Sequence, residues 1–360
     1  MQKSKKVSVK VSEVDGVTST KVWMFGGIVC ASLLIGGGYL GWTAMRQQPR
    51  ITSQTQSQAN QGNNEAANPQ RMIAPIKPGS MLMLSQKEGE ESQVKLVEAN
   101  LTDSAIAPLG CNRVYFAGGN GLCLVPQGGG QGVQLMFARA FDSNFEVKHS
   151  FVSEGLPSRA RVSPNGRYGA FTSFVTGHNY ESVGSTASTK TVIVDLTNKT
   201  TIGDLEQFVV TRDSKPFKAV DFNFWGVTFA NDNNTFYATL SSAGEILLLK
   251  GDVSSKTLNV IGKNIECPSL SPDNSKIAFK KRLKPGDWRP AVLDLTTMQE
   301  TVLNEQRNVD DQIEWLDNSR VTYEIVDRTQ NRKHLVATPI DGRGEATILI
   351  QDAVSPVVIR

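Results

Sequence analysis

From about residue 78 onward, short runs rich in Val, Ile, Phe, Tyr and Thr alternate with clusters of Gly, Asn, Asp and Pro. That rhythm predicts β-strands joined by tight turns, and no segment of useful length keeps a helical period. The pattern also repeats. Ser271-Pro272-Asp273-Asn274-Ser275-Lys276-Ile277-Ala278-Phe279 matches Ser163-Pro164-Asn165-Gly166-Arg167-Tyr168-Gly169-Ala170-Phe171, and looser copies begin at Gly110, Asp232 and Asp317. Proline presets φ for a turn, while Asp, Asn and Gly tolerate its left-handed positions, so each copy reads as strand, turn and antiparallel strand. A second apolar unit follows each copy, clearest at Thr191–Thr197 and Ala291–Thr296. Together the two units are expected to supply the last two strands of a four-stranded sheet.

Copies start at 110, 165, 232, 273 and 317, with spacings of 55, 67, 41 and 44 residues. Four-stranded units of about 40–50 residues are propeller blades. The two long spacings imply insertions, placed at Val175–Lys190 and Gly203–Val220. Residues 81–98 and 347–359 are strand-like but lack full partners, so they are expected to build one more blade from both chain ends. Six blades is the resulting count, with five or seven as alternatives. An open stack of hairpins would instead leave edge strands exposed.

The first 78 residues read differently. Val22 to Met45 is 24 residues without a charge, with Trp23 and Trp42 near its ends, long enough to span a bilayer as a helix. Residues 1–21 carry a net +3 from five lysines, which puts the N-terminus in the cytoplasm by the positive-inside bias. An uncleaved signal anchor is preferred to a cleaved signal peptide, because the apolar segment is long and ends without a small-residue cleavage site. Gly37 and Gly41 form a GxxxG pair, but the segment holds six glycines and the pair carries little weight. Residues 46–72 hold seven glutamines and four asparagines and almost no large aliphatic side chains, which predicts a flexible linker over 46–78. The expected organisation is a tail (1–21), an anchor (22–45), the linker (46–78) and an extracytoplasmic propeller (79–360).

Charge changes one part of the picture. The chain carries +3 overall, but residues 46–77 add a further +3 to that of the tail, leaving −3 for residues 78–360. A nucleic-acid-binding protein concentrates basic charge on its folded part. Here that part is mildly acidic, so nucleic acid is not an expected partner.

The SPDN turn, the IAF strand and the following VLDL strand together resemble the TolB-type propeller repeat, over roughly residues 79–360. Four longer stretches resemble membrane-anchored or exported TolB-like proteins of bacteria: Leu156–Pro164 (LPSRARVSP), Phe222–Phe229 (FNFWGVTF), Glu266–Pro272 (ECPSLSP) and Val309–Trp315 (VDDQIEW). The resemblance implies an all-β, six-bladed TolB-like β-propeller, preceded here by a single transmembrane helix and a flexible linker. It also implies work by docking, with an envelope protein or cell-wall polymer as partner. The chain departs from TolB in having an anchor and no preceding TolB N-terminal domain, so partner identity does not carry over. The repeat is specific for fold and weak for function.

Candidate chemistry is sparse. The three histidines, His149, His178 and His334, form no ligand-spaced cluster, and no CxxC or HExxH pattern exists, so no metal or other cofactor is expected. No G-x-S-x-G elbow is present, which argues against the peptidase activity of other proteins with this repeat. Cys111 and Cys123 flank a predicted hairpin and are expected to pair outside the cytoplasm. Two free thiols are the alternative, because eleven intervening residues do not fix cross-strand registry. Cys267 is then an unpaired buried thiol. The loops entering the inner strands carry Arg159, Asn223, Trp225, Glu266, Asp310 and Asp311, which are expected at the mouth of the central channel, either as a binding rim or as links between blades. His178 and Tyr180 in the insertion form a second candidate surface. The leading expectation is a non-catalytic interaction module at the inner bacterial membrane. The alternative is a glycan-acting enzyme using Asp310, Asp311 and Arg159.

Overall fold

The computed structural model describes residues 74–98, 100–101, 104–128, 134–175 and 188–360. The predicted tail, anchor and most of the linker lie outside the described residues, as do His178 and Tyr180. Among the described residues no helix is long and apolar enough to cross a membrane.

Six sheets, built almost wholly of antiparallel pairs, follow one another along the chain. Blade 1 contains β1 (Met81–Ser85), β2 (Gln93–Val97) and β3 (Ser104–Gly110). Blade 2 runs through β4 (Arg113–Ala117), β5 (Asn120–Gly128), β6 (Gln134–Asp142) and β7 (Val147–Glu154). Blade 3 holds β8 (Leu156–Val162), β9 (Tyr168–Phe174), β10 (Thr189–Asp195) and β11 (Thr200–Asp204). After β12 (Val209–Arg212) and β13 (Lys215–Pro216) comes blade 4, with β14 (Asn223–Phe229), β15 (Thr235–Ser242), β16 (Glu245–Asp252) and β17 (Thr257–Lys263). Blade 5 is β18 (Glu266–Leu270), β19 (Lys276–Lys284), β20 (Asp287–Asp294) and β21 (Glu300–Val302). Blade 6 is β22 (Glu314–Trp315), β23 (Arg320–Asp327), β24 (Arg332–Pro339) and β25 (Thr347–Gln351), and the chain ends with β26 (Ala353–Val358).

Strand β26 pairs with β1, so both chain ends close the ring in blade 1, as the unpartnered terminal segments predict. The division differs in detail: residues 347–351 complete blade 6, and only 353–358 cross over. The repeat also sits one strand earlier than expected. In the copies from Ser163, Asp232, Ser271 and Asp317 the turn joins the first and second strands, so Ile277–Phe279 and Val292–Leu293 lie on middle strands. Both are sandwiched between neighbouring blades, which is why they read as continuous apolar runs. The copy at Gly110 is out of register, its Gly110–Asn112 joining β3 of blade 1 to β4 of blade 2. The second long spacing is accounted for by β12 and β13. Strand β12 adds in parallel to the outer edge of β17 and, with β13, makes blade 4 six-stranded.

The turn residues do more than bend the chain. Asn120 Nδ2 donates to the Gly166 carbonyl at 3.0 Å, and Asn165 N–H donates to Asn233 Oδ1 at 2.9 Å. Asn231 Nδ2 then reaches the Pro272 carbonyl at 2.8 Å, and Asp273 N–H reaches Asn318 Oδ1 at 3.3 Å. From blade 2 to blade 6, the turn between the first and second strands of each blade is thereby tied to that of the next. The contact between blades 2 and 3 leaves no room for a side chain: a Cβ on Gly118, where φ is +54°, would lie 2.2 Å from the Asn165 carbonyl carbon.

Cys111 and Cys123 form the expected disulfide, with their Cα atoms 5.4 Å apart. Cys123 stands opposite Val114 in the β4–β5 pairing, so Cys111 bonds from just before β4. Cys267 is a free, buried cysteine.

Candidate functional site: a blind vestibule on the axis

The inner strands β4, β8, β14, β18, β22 and β26 carry alternate side chains toward the axis. Near their C-terminal ends they enclose a cavity of about 270 Å³. Every blade contributes to it: Tyr115, Arg161, Phe229, Ser269, Glu314 and Val358 come from the six inner strands, and Arg360 follows the last of them. The repeat turns, at Pro164, Asn231 and Pro272, form its outer lip.

Glu314 is the hub. Its Oε2 lies 3.0 Å from Arg161 Nη1 and its Oε1 lies 3.3 Å from Arg360 Nη1, while the Tyr115 hydroxyl donates to Oε2 at 3.4 Å. Arg161 Nη2 donates to Ser269 Oγ at 3.2 Å and to the Ile313 carbonyl at 3.0 Å, and the guanidinium sits 4.4 Å over the Tyr115 ring. Arg360 also donates to the Trp315 carbonyl. Burial, followed by the negative charge of Glu314, pushes the Tyr115 hydroxyl up to about 12, so it stays a donor throughout the physiological range. One atom is left over: the buried Nε of Arg161 has no hydrogen-bond partner among the described residues.

Toward the opposite face the axis narrows to about 20 Å³ between Arg113, Tyr115, Arg159, Arg161, Asp311 and Gln312. Asp311 lies 3.3 Å from Arg159 Nη1 and 3.9 Å from Arg113 Nη1. Gln312 donates from Nε2 to the Val227 carbonyl at 3.2 Å and to the Pro268 carbonyl at 2.8 Å, bridging blades 4 and 5. Arg159, Asp311 and Gln312 are only 6%, 5% and 7% exposed, so they plug this end. The vestibule is open on one face and blind on the other.

The predicted rim residues are therefore not an open rim. Trp225, Glu266, Arg159 and Asp311 are buried. Asn223 Oδ1 accepts from the Thr189 N–H at 2.9 Å, tying blade 4 to blade 3. Glu266 accepts from Trp288 Nε1 at 2.9 Å and pairs with Arg282 at 2.6 Å. Asp310 pairs with the fully buried Lys280 at 2.5 Å, and its carbonyl accepts from Arg159 at 3.2 Å. Of the six residues expected at one mouth, Arg159, Asn223, Asp310 and Asp311 serve instead as blade-to-blade contacts, the alternative weighed from the sequence, while Glu266 is paired within blade 5 and Trp225 is buried. Missed there were Tyr115, Arg161, Glu314 and Arg360. A period-2 signal existed: Arg161 stands two residues beyond Arg159 on one strand, so both face the axis, one at each end of the channel.

A second depression, about 900 Å³ and more open, lies on the opposite face between blades 5 and 6, beside Lys284, Arg307, Arg328, Val326 and Ile348. Among the described residues no group of His, Cys, Asp and Glu side chains has metal-binding geometry.

No family model matches the sequence, and no curated protein does. Solved structures do match in fold. TolB from Acinetobacter baumannii aligns with a TM-score of 0.56 at 15% identity, covering 78% of this chain and 66% of that one, just under two thirds of its length. A putative TolB from Agrobacterium tumefaciens (TM-score 0.43, 12% identity, 76% of this chain and 88% of that one) also appears. So does a chain of a nidogen/laminin complex (0.48, 9%, 77% and 97%). The fold defines the class, a six-bladed β-propeller. Within that class its fold is similar to that of TolB, and identity this low speaks for fold alone.

Proposed function

We propose that this chain is a membrane-anchored envelope protein whose extracytoplasmic propeller docks a partner protein at the open mouth of the axial vestibule, without catalysis. The observation that carries this reading is the vestibule itself, a preformed concavity to which all six blades contribute polar and apolar groups. The apolar segment 22–45 and the lysines before it support an anchor with a cytoplasmic N-terminus. The engagement of Asp310, Asp311 and Arg159 in buried structural pairs supports the non-catalytic reading, since an acid–base pair needs access to substrate. A cell-wall polymer is the alternative partner.

The test is photo-crosslinking in intact cells from a benzoylphenylalanine at Pro164, an exposed lip residue, with Lys284 on the opposite face as comparison. Discrete protein adducts from Pro164 and few from Lys284 are expected. Adducts from Lys284 alone, or none from Pro164, overturn the assignment of this face.

A further inference from the structure

Resting on that docking reading, we infer that the vestibule receives the C-terminal carboxylate of its partner, with one or two apolar residues behind it. Three observations lead there. First, the cavity is blind, plugged by Arg159, Asp311 and Gln312, so a polypeptide cannot thread through the axis. What enters is a chain end, a single projecting side chain or a free small molecule, and a chain end is the occupant we take forward. Second, the charged side chains lining the cavity are Arg161 and Arg360 against Glu314, a net of one positive charge. An N-terminal ammonium would add a cation to that set, whereas a C-terminal carboxylate neutralises it. Third, Arg161 is 6% exposed and already gives its Nη atoms to Glu314, Ser269 and Ile313, yet its Nε keeps an unused donor. A buried donor without an acceptor costs free energy that an incoming carboxylate oxygen recovers. Phe229, Leu270, Val162 and Val358 supply the remaining wall, which suits an aliphatic stem. A cavity of about 270 Å³ accommodates a terminal residue and part of the next, leaving the rest of the partner outside against the repeat turns.

The same chemistry has a second source, a free aliphatic acid, and the experiment separates the two. The purified full-length chain in detergent is titrated with three probes. One is a pool of acetylated tripeptides ending in Ala, Val, Leu or Phe with free carboxylates, the second is the matched C-terminal amides, and the third is hexanoate. Saturation-transfer NMR and calorimetry are the readouts. The free-acid peptides are expected to bind, and the amides at least about tenfold more weakly, the loss expected for a hydrogen bond to a charged group. Arg360→Gln, at a partly exposed side chain, is expected to weaken the acids about tenfold and to lower the melting temperature less than a change at the buried Arg161 would. Glu314→Gln removes the competing carboxylate and is expected to tighten them.

Equal binding of acids and amides, no binding anywhere in the pool, or tighter binding by neither acid in Glu314→Gln overturns the inference. Hexanoate binding with the peptides excluded overturns the chain-end source and assigns the site to a small acid. The two proposals fail separately. Adducts from Pro164 with every peptide silent leave docking intact and remove the carboxylate. Peptide acids that bind while Pro164 yields no adduct remove docking in cells and keep the pocket.

Discussion

At the scale of single residues, charges buried on the axis are held in place by partners from other blades. Burial alone would raise the Asp311 carboxyl, but Arg113 and Arg159 hold it well below its ordinary value of 3.8. Glu324 on β23 is shifted the other way. Its own burial and the charge on Asp311 raise it above 4.5, and Lys333, 3.0 Å away, only partly opposes them. The signs give opposite pH limbs. The Asp311 contribution is present above the usual aspartate range and is lost as pH falls through its depressed value. The Glu324 contribution is full below 4.5 and is lost as pH rises through its raised value. Glu324→Gln is therefore expected to flatten the alkaline side of a melting-temperature profile taken from about pH 3 to about pH 8, and Asp311→Asn the acid side. Profiles that parallel the wild type would refute the pairing. Arg161→Met strips Glu314 of one of two guanidinium partners in a site only 3% exposed on the Glu314 side chain. Chemical denaturation should register a loss of about 3 kcal/mol.

At the scale of elements, the repeat turn is a joint as well as a corner. Gly118→Ala would place its Cβ against the backbone of Asn165 and Gly166, which belongs to a rigid turn of the next blade and cannot yield as a side-chain tip would. A cost of about 3 kcal/mol is expected, read as a lowered denaturant midpoint. The hydrogen bond from Asn165 to Asn233 predicts a milder outcome for Asn233→Ala, about 1 kcal/mol. The disulfide closes a loop of sequence separation 12, so Cys111→Ala with Cys123→Ala should cost about 3 kcal/mol in oxidising buffer and nothing further on adding reductant. Strand β12 shows that the outer edge of a blade in this fold accepts another strand. The exposed edge strand of blade 2, β7, with Val147 and Val152 at 45% and 61% exposure, has the same backbone chemistry available.

At the scale of the molecule, closure makes the blades one cooperative object. Strand β26 brings Val354, Val357 and, just after it, Ile359 into the core shared by blades 1 and 2. Burying three such side chains contributes roughly 5 kcal/mol, comparable with the whole stability of a domain. Truncation after Asp352 is therefore expected to abolish the single sharp unfolding transition in calorimetry. A truncated chain that still melted sharply near the wild-type temperature would mean that the ring does not depend on its seam.

Much of this was legible from one sequence. Apolar alternation and the SPDN turns sufficed for strands, blade number and the joining of the chain ends, because each blade is a local unit whose strands pair with their sequence neighbours. The pairing of Cys111 with Cys123 was legible for the same reason, both lying on one local hairpin. Which end of the axis is open was not. Arg159 and Arg161 are equivalent as letters in an inner strand, and only the packing of the 303–313 segment, which carries Asp311 and Gln312 into the far end, makes one of them a plug and the other a wall. The cluster of Tyr115, Arg161, Glu314 and Arg360 joins residues up to about two hundred and fifty positions apart, brought together by ring closure alone. Local pattern thus determined the blades. The site was decided by the one contact that no local pattern encodes, the meeting of all six inner strands around a common axis.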